Sequence, residues 1–168
     1  MVRYPIFDKG DLLGTVEAKV RRIVECLGEG ISYQFCNWAQ ANVALDKVEN
    51  PTIIYVLPPS GSLNFTWHEV TDRPNAQIAF VAPTDFDFDG KENDGIIEAM
   101  KRLCIRFITA LNASGFFEEV DGEVQYQALY DHLDQNVTGI VIQPVLKEIE
   151  GVNICHEPAR LGEEVDGE

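Results

Sequence analysis

One segment limits the choice of fold more than any other, the run from about Gly95 to Asn112. Ile96, Ile97, Met100, Leu103, Cys104, Phe107, Ile108 and Leu111 recur at helical spacing as one broad apolar stripe, while Glu98, Lys101, Arg102 and Arg106 mark the other side. A helix of this kind is stable only when its stripe is covered by a second layer. Gly115 follows as a stop signal.

Short apolar runs supply that layer. Thr52-Ile53-Ile54-Tyr55-Val56-Leu57, opened by Pro51 and closed by Pro58-Pro59-Ser60-Gly61, is nearly all apolar and reads as a central strand covered on both faces. Asn75 to Ala82 is a second strong strand and is expected to pair with it. Ile31 to Cys36 is a short strand, and Asn37 to Leu45 is a turn or one to two helical turns. Val124 to Tyr130 and Val137 to Glu148 form a final pair, with Pro144 marking a bulge or an edge. A first helix is expected from about Asp11 to Leu27. Leu12, Leu13, Val16, Val20, Ile23, Val24 and Leu27 form its apolar side, Lys19, Arg21, Arg22 and Glu25 its polar side, and Gly28 and Gly30 its end. The pattern predicts an α+β fold: a mostly antiparallel sheet of about five strands, two main helices on one face, and a projecting β-ribbon.

A chain of 168 residues suits one domain, drawn at 1–156, followed by an acidic tail over 157–168 that is expected to be disordered. The net charge of −15 argues against a surface that grips phosphates, since that affinity comes from Lys and Arg. No apolar run is long enough to span a bilayer, and the first residues lack the pattern of a signal peptide. Cys26, Cys36, Cys104 and Cys155 are scattered, without a C-x-x-C pair, and read as buried reduced thiols of a cytoplasmic folding compartment.

Chemistry-bearing motifs are few. The chain contains no phosphate loop, dinucleotide-binding glycine fingerprint, G-x-S-x-G elbow or H-E-x-x-H helix. His68, His132 and His156 stand on separate segments, and Cys155-His156-Glu157 lacks the second paired-ligand motif of a zinc site. Asp85-Phe86-Asp87-Phe88-Asp89-Gly90 has the first half of a calcium loop, with Asp85, Asp87 and Asp89 as ligands. Its second half departs from the pattern, because position eight is Glu92 and position twelve is Ile96. The other reading is a strand end whose three Asp face solvent, with Asn93 or Asp94 capping the helix that follows.

The arm from Pro58 to Pro74 is long and places Leu63, Phe65 and Trp67 at alternate positions, three apolar groups on one face of a ribbon. Val70 is out of phase with them and joins that face only through a bulge or bend. These four residues are the candidate interface. Trp67 is the favoured anchor, and Trp38 reads as core.

Taken together, the Asn37-Trp38 turn, P-x-I-I-Y-V-L-P from Pro51, the ribbon, I-A-F-V-A-P-T-D-F-D from Ile78, the amphipathic helix and V-T-G-I-V-I-x-P-V-L from Val137 carry a resemblance over roughly Asp11 to Cys155. The chain resembles tail-completion or tail-terminator proteins of tailed bacteriophages. The resemblance implies a non-enzymatic virion protein, assembled in the host cytoplasm, forming a ring at the head–tail neck, with a hexamer favoured. It implies other neck and tail proteins as partners, DNA passing through the lumen without specific binding, and no cofactor. Two alternatives stand beside it: a calcium-dependent binding module built on the Asp85–Asp89 loop, and a small cytoplasmic enzyme using His68 or His132.

Overall fold

A computed structural model describes residues 14–45, 49–84, 90–132 and 137–153, and the fold is α+β. In chain order the elements are α1 (Val16–Glu25), β1 (Ser32–Cys36), α2 (Trp38–Leu45), β2 (Thr52–Val56), β3 (Gly61–Phe65) and β4 (Glu69–Pro74). They continue with β5 (Gln77–Pro83), α3 (Gly90–Ser114), β6 (Tyr126–His132), β7 (Val137–Ile142) and β8 (Val152–Asn153). Two sheets result, one of five strands in the order β1-β2-β5-β7-β6 and one of three in the order β3-β4-β8.

The expected pairing of the two strong strands is present, with Ile53 opposite Phe80 and Tyr55 opposite Ile78 in an antiparallel ladder. All five residues of β2 are buried, as an apolar run between two covered faces requires. Side-chain alternation divides the main sheet. Ile53, Tyr55, Ile78, Phe80, Ile140 and Ile142 meet α1 and α3, while Ile54, Val56, Ala79, Val81 and Val141 form a second cluster with Ala41 of α2. The second layer thus exceeds the expectation of helices on one face. β1 and β2 run parallel, so the chain must cross over between them, and α2 is that crossover. Trp38, at its start, packs on this second cluster, in line with its reading as core.

Several local expectations need correction. Among the described residues, the helix expected from about Asp11 begins at Val16. Thr15 is extended, and its hydroxyl accepts from the Ala18 N–H as an N-cap, while Leu12 and Leu13 lie outside the described residues. Lys19 is not on the polar side. It lies three residues after Val16 and four before Ile23, within the apolar stripe, and it is buried. Asn93 and Asp94 do not cap the second helix, which starts at Gly90. Asn93 is inside it and buried, with the Thr138 hydroxyl of β7 donating to its Oδ1 at 3.3 Å. Cys26 ends α1 in an exposed position, whereas Cys104 is buried. β7 ends at Ile142, two residues before Pro144, and is an interior strand between β5 and β6.

Gly115, at φ 72°, closes α3 in the left-handed conformation that glycine accepts without cost. Gly139 in β7 is needed for another reason. A Cβ there would meet the Phe80 carbonyl oxygen of β5 at 1.9 Å, so the two central strands approach this closely only because the side chain is missing.

Candidate interaction surface

The arm from Pro58 to Pro74 is a hairpin. β3 pairs antiparallel with β4, with Phe65 opposite Val70 and Leu63 opposite Asp72. The chain reverses at Trp67 and His68. Thr66 donates its N–H to the Glu69 carbonyl at 2.9 Å, and the Thr66 hydroxyl accepts from the Glu69 N–H at 3.2 Å. This reversal resolves the phase of Val70. No bulge is involved: the turn resets the alternation, and cross-strand pairing puts Val70 on the face of Leu63 and Phe65. β8 then pairs with β4 through Val70 and Val152, which adds Val152 to the same face.

That face is open. Leu63 is 60% exposed, Phe65 70%, Trp67 87% and Val152 57%. At 150–250 Å2 for an aromatic side chain, Phe65 and Trp67 alone present roughly 300 Å2, and all four residues together about 450 Å2 of apolar surface. That is the scale of the largest apolar patch on a typical monomer, roughly 300–600 Å2, which is often functional.

The hairpin is fastened at its base by buried charge. Lys19 of α1 (3% exposed) donates to Oε1 of Glu148 (7% exposed) at 2.6 Å, and to the Glu150 carbonyl at 3.2 Å. The other carboxylate oxygen of Glu148 accepts the backbone N–H of Asp72 in β4 at 2.7 Å, and the Glu148 N–H donates to the Asp72 carbonyl at 3.2 Å. One ion pair therefore joins the first helix, the hairpin and the segment leading to β8. Gly151 completes the fit, since a Cβ there would meet the Val70 carbonyl oxygen at 1.8 Å. A rigid base under an open apolar face is the geometry of a preorganised docking element.

Among the described residues, the other predicted site residues are not gathered into a site. Asp85, Asp87 and Asp89 lie outside the described residues, as do Cys155 and His156. The calcium pattern's eighth and twelfth positions are described: Glu92 lies in the first turn of α3, and Ile96 packs against the main core. Among the described residues no group of three or more His, Cys, Asp or Glu is placed to hold a metal ion. His68 is at the hairpin tip, its ring 4.5 Å from that of Trp67 and its Nε2 3.8 Å from Glu69 Oε1. His132 closes β6, with its side chain outside the described part. Among the described residues, no helix is long and apolar enough to cross a membrane.

Three participants are absent from the sequence reading. Val152 joins through a pairing more than eighty residues distant in sequence, for which no local signal exists. Glu148 likewise depends on tertiary placement. Lys19 was legible, because its spacing from Val16 and Ile23 puts it inside the stripe. In comparisons with known proteins, the chain matches no family model, no curated protein and no solved structure.

Proposed function

We propose that the chain is a non-enzymatic structural subunit of a virion. It associates with copies of itself through the β3–β4 hairpin and acts as a tail terminator or tail-completion ring at the head–tail junction of a tailed phage. The observation that carries the self-association is the open face of Leu63, Phe65 and Val152, with Trp67 at its tip, on a hairpin whose base is locked. The area supports it. A standard interface takes about 800 Å2 from each partner, of which some 57% is non-polar, or about 450 Å2. The four residues offer that amount. A head-to-tail contact repeated from subunit to subunit closes into a ring where its rotation allows.

The phage role rests on the resemblance of the quoted segments and on the charge. A net charge of −15 suits a lumen through which DNA slides unheld. The hexameric ring, the neck and tail partners and the assembly in host cytoplasm come with that role.

Light scattering on a size-exclusion column over a concentration series, with negative-stain imaging of any large species, tests the reading. A ring is expected, and Trp67→Ala is expected to weaken self-association roughly 30-fold, as loss of a central aromatic anchor does, with an unchanged melting temperature. Wild-type protein that remains monomeric to millimolar concentration removes the self-association reading.

A further inference from the structure

A ring needs two different surfaces on each subunit, one to give and one to receive. The main sheet carries an apolar row with two open ends. Phe35, Tyr55, Ile78, Ile142 and Tyr126 are successive register partners across β1, β2, β5, β7 and β6. With strands about 4.8 Å apart, Phe35 and Tyr126 stand roughly 19 Å from each other. The middle of the row is buried, and both ends are exposed.

At the first end, Phe35 stacks on Tyr55 with ring centroids 5.4 Å apart, beside Leu63 and Gly61 at the hairpin base. At the far end there is a hollow of about 280 Å3 between α3 and the β6 edge, walled by Cys104, Ile105, Ile108, Val124 and Tyr126. Lys101 stands at its rim, its Nζ 4.9 Å from the centre of the Tyr126 ring. Ile105 is largely exposed on the outer side of α3, between Arg102 and Arg106.

We infer that this hollow receives the hairpin of a second copy of the chain, with Trp67 as the inserted side chain. The inference rests on the proposed role of the hairpin and names its receptor. Size favours it: ligand cavities run to roughly 300–1,000 Å3, so this hollow is of a scale for a large side chain rather than a cofactor. Charge favours it over hairpin against hairpin. Along α3 beside the hollow stand Arg102 and Arg106, with no acid from Ala99 to Phe117 in a chain of net charge −15, while Lys101 is already paired with Glu98 at 2.6 Å. The hairpin carries Glu69 next to its tip and Asp72 on the face of Leu63. Two hairpins face to face oppose like charges, whereas hairpin and hollow pair unlike ones. Lys101 over Tyr126 also provides a cation and an aromatic face against which an indole packs. Position favours it as well, since donor and receptor lie at opposite ends of one row, the arrangement that propagates head to tail.

Two surface variants and their mixture form the test. Trp67→Ser blocks the donor and Ile105→Lys the receptor. The lysine suits a helix and lowers the net negative charge, so lost association would not come from general repulsion. Each variant alone is expected to be monomeric, weakened at least roughly 30-fold in self-association. An equimolar mixture is expected to give a one-to-one dimer and nothing larger, because one good donor and one good receptor remain. Circular dichroism melting of each variant checks the fold. If Ile105→Lys assembles like the wild type, or the mixture stays monomeric while wild type assembles, the receptor assignment is overturned and the hairpin reading stands. If wild type never associates, both fall.

Discussion

Replacing Lys19 by methionine keeps most of the side-chain volume and removes the charge that pairs with Oε1 of Glu148. The carboxylate is left 7% exposed, with the Asp72 N–H as its remaining donor at 2.7 Å. Breaking a buried pair by deleting one partner costs about 3–5 kcal/mol, because an uncompensated charge stays in a poor solvent for it. In a chain of this length 1 kcal/mol moves the melting temperature by roughly 2–4 °C, so Lys19→Met is expected to lower it by about 6–20 °C. Adding Glu148→Gln should return a large part of that loss. The amide oxygen still accepts from Asp72, and no charge is stranded. Thermal melts of wild type, both single variants and the double variant close the cycle, and hydrogen exchange at residues 69–74 reads whether the hairpin base loosens. If Lys19→Met costs less than about 1 kcal/mol, or if the double variant is no more stable than Lys19→Met, the buried pair is not the clamp of the hairpin.

Gly151→Ala places a Cβ against the Val70 carbonyl oxygen and should separate β8 from β4, which limited proteolysis would register as faster cleavage in the hairpin. Alkaline pH should destabilise the fold. Burial pushes the Cys104 thiol from 9.0 up to about 11, and burial, followed by nearby carboxylates, raises the hydroxyls of Tyr33 and Tyr55. The folded state keeps these protons while the unfolded chain releases them, so the stability they contribute is complete below about pH 9 and falls as pH rises toward 11. Melting temperatures that hold level over that window would refute the assignment. Millimolar calcium should leave the melting temperature unchanged, since the position of the twelfth ligand is Ile96, an apolar side chain packed against the core; a rise would place an ion on the Asp85–Asp89 loop.

Legibility in the sequence followed the range of the interactions. The α3 stripe, the β2 run and its pairing with β5 rest on periodicity within single segments, and these elements formed where the pattern puts them. The helix over Trp38–Leu45 falls within the one to two helical turns read for Asn37 to Leu45, but the parallel β1–β2 pair was not legible, because the crossover is fixed by tertiary contact. Helix starts failed for a specific reason. Thr15 caps the stripe that actually packs, and α3 starts at Gly90, five residues before the Gly95 start that the stripe suggested. The candidate surface was half legible. Alternation found Leu63, Phe65 and Trp67, but Val70 needed the turn geometry, and Val152 and Glu148 needed the folded chain, while the place of Lys19 inside the apolar stripe could be read from its spacing.

The Lys19–Glu148 contact joins residues 129 positions apart in sequence. During synthesis from the amino terminus, the hairpin emerges long before the segment that holds it. Loop closure over such a distance is slow to be rewarded, so the clamp forms late in folding. A truncated or half-folded chain therefore carries Trp67 on an unfastened ribbon and offers no rigid donor. If the proposed self-association through the hairpin holds, the ion pair would act as a timing device, since the donor is fastened only once the chain has been made through Glu150.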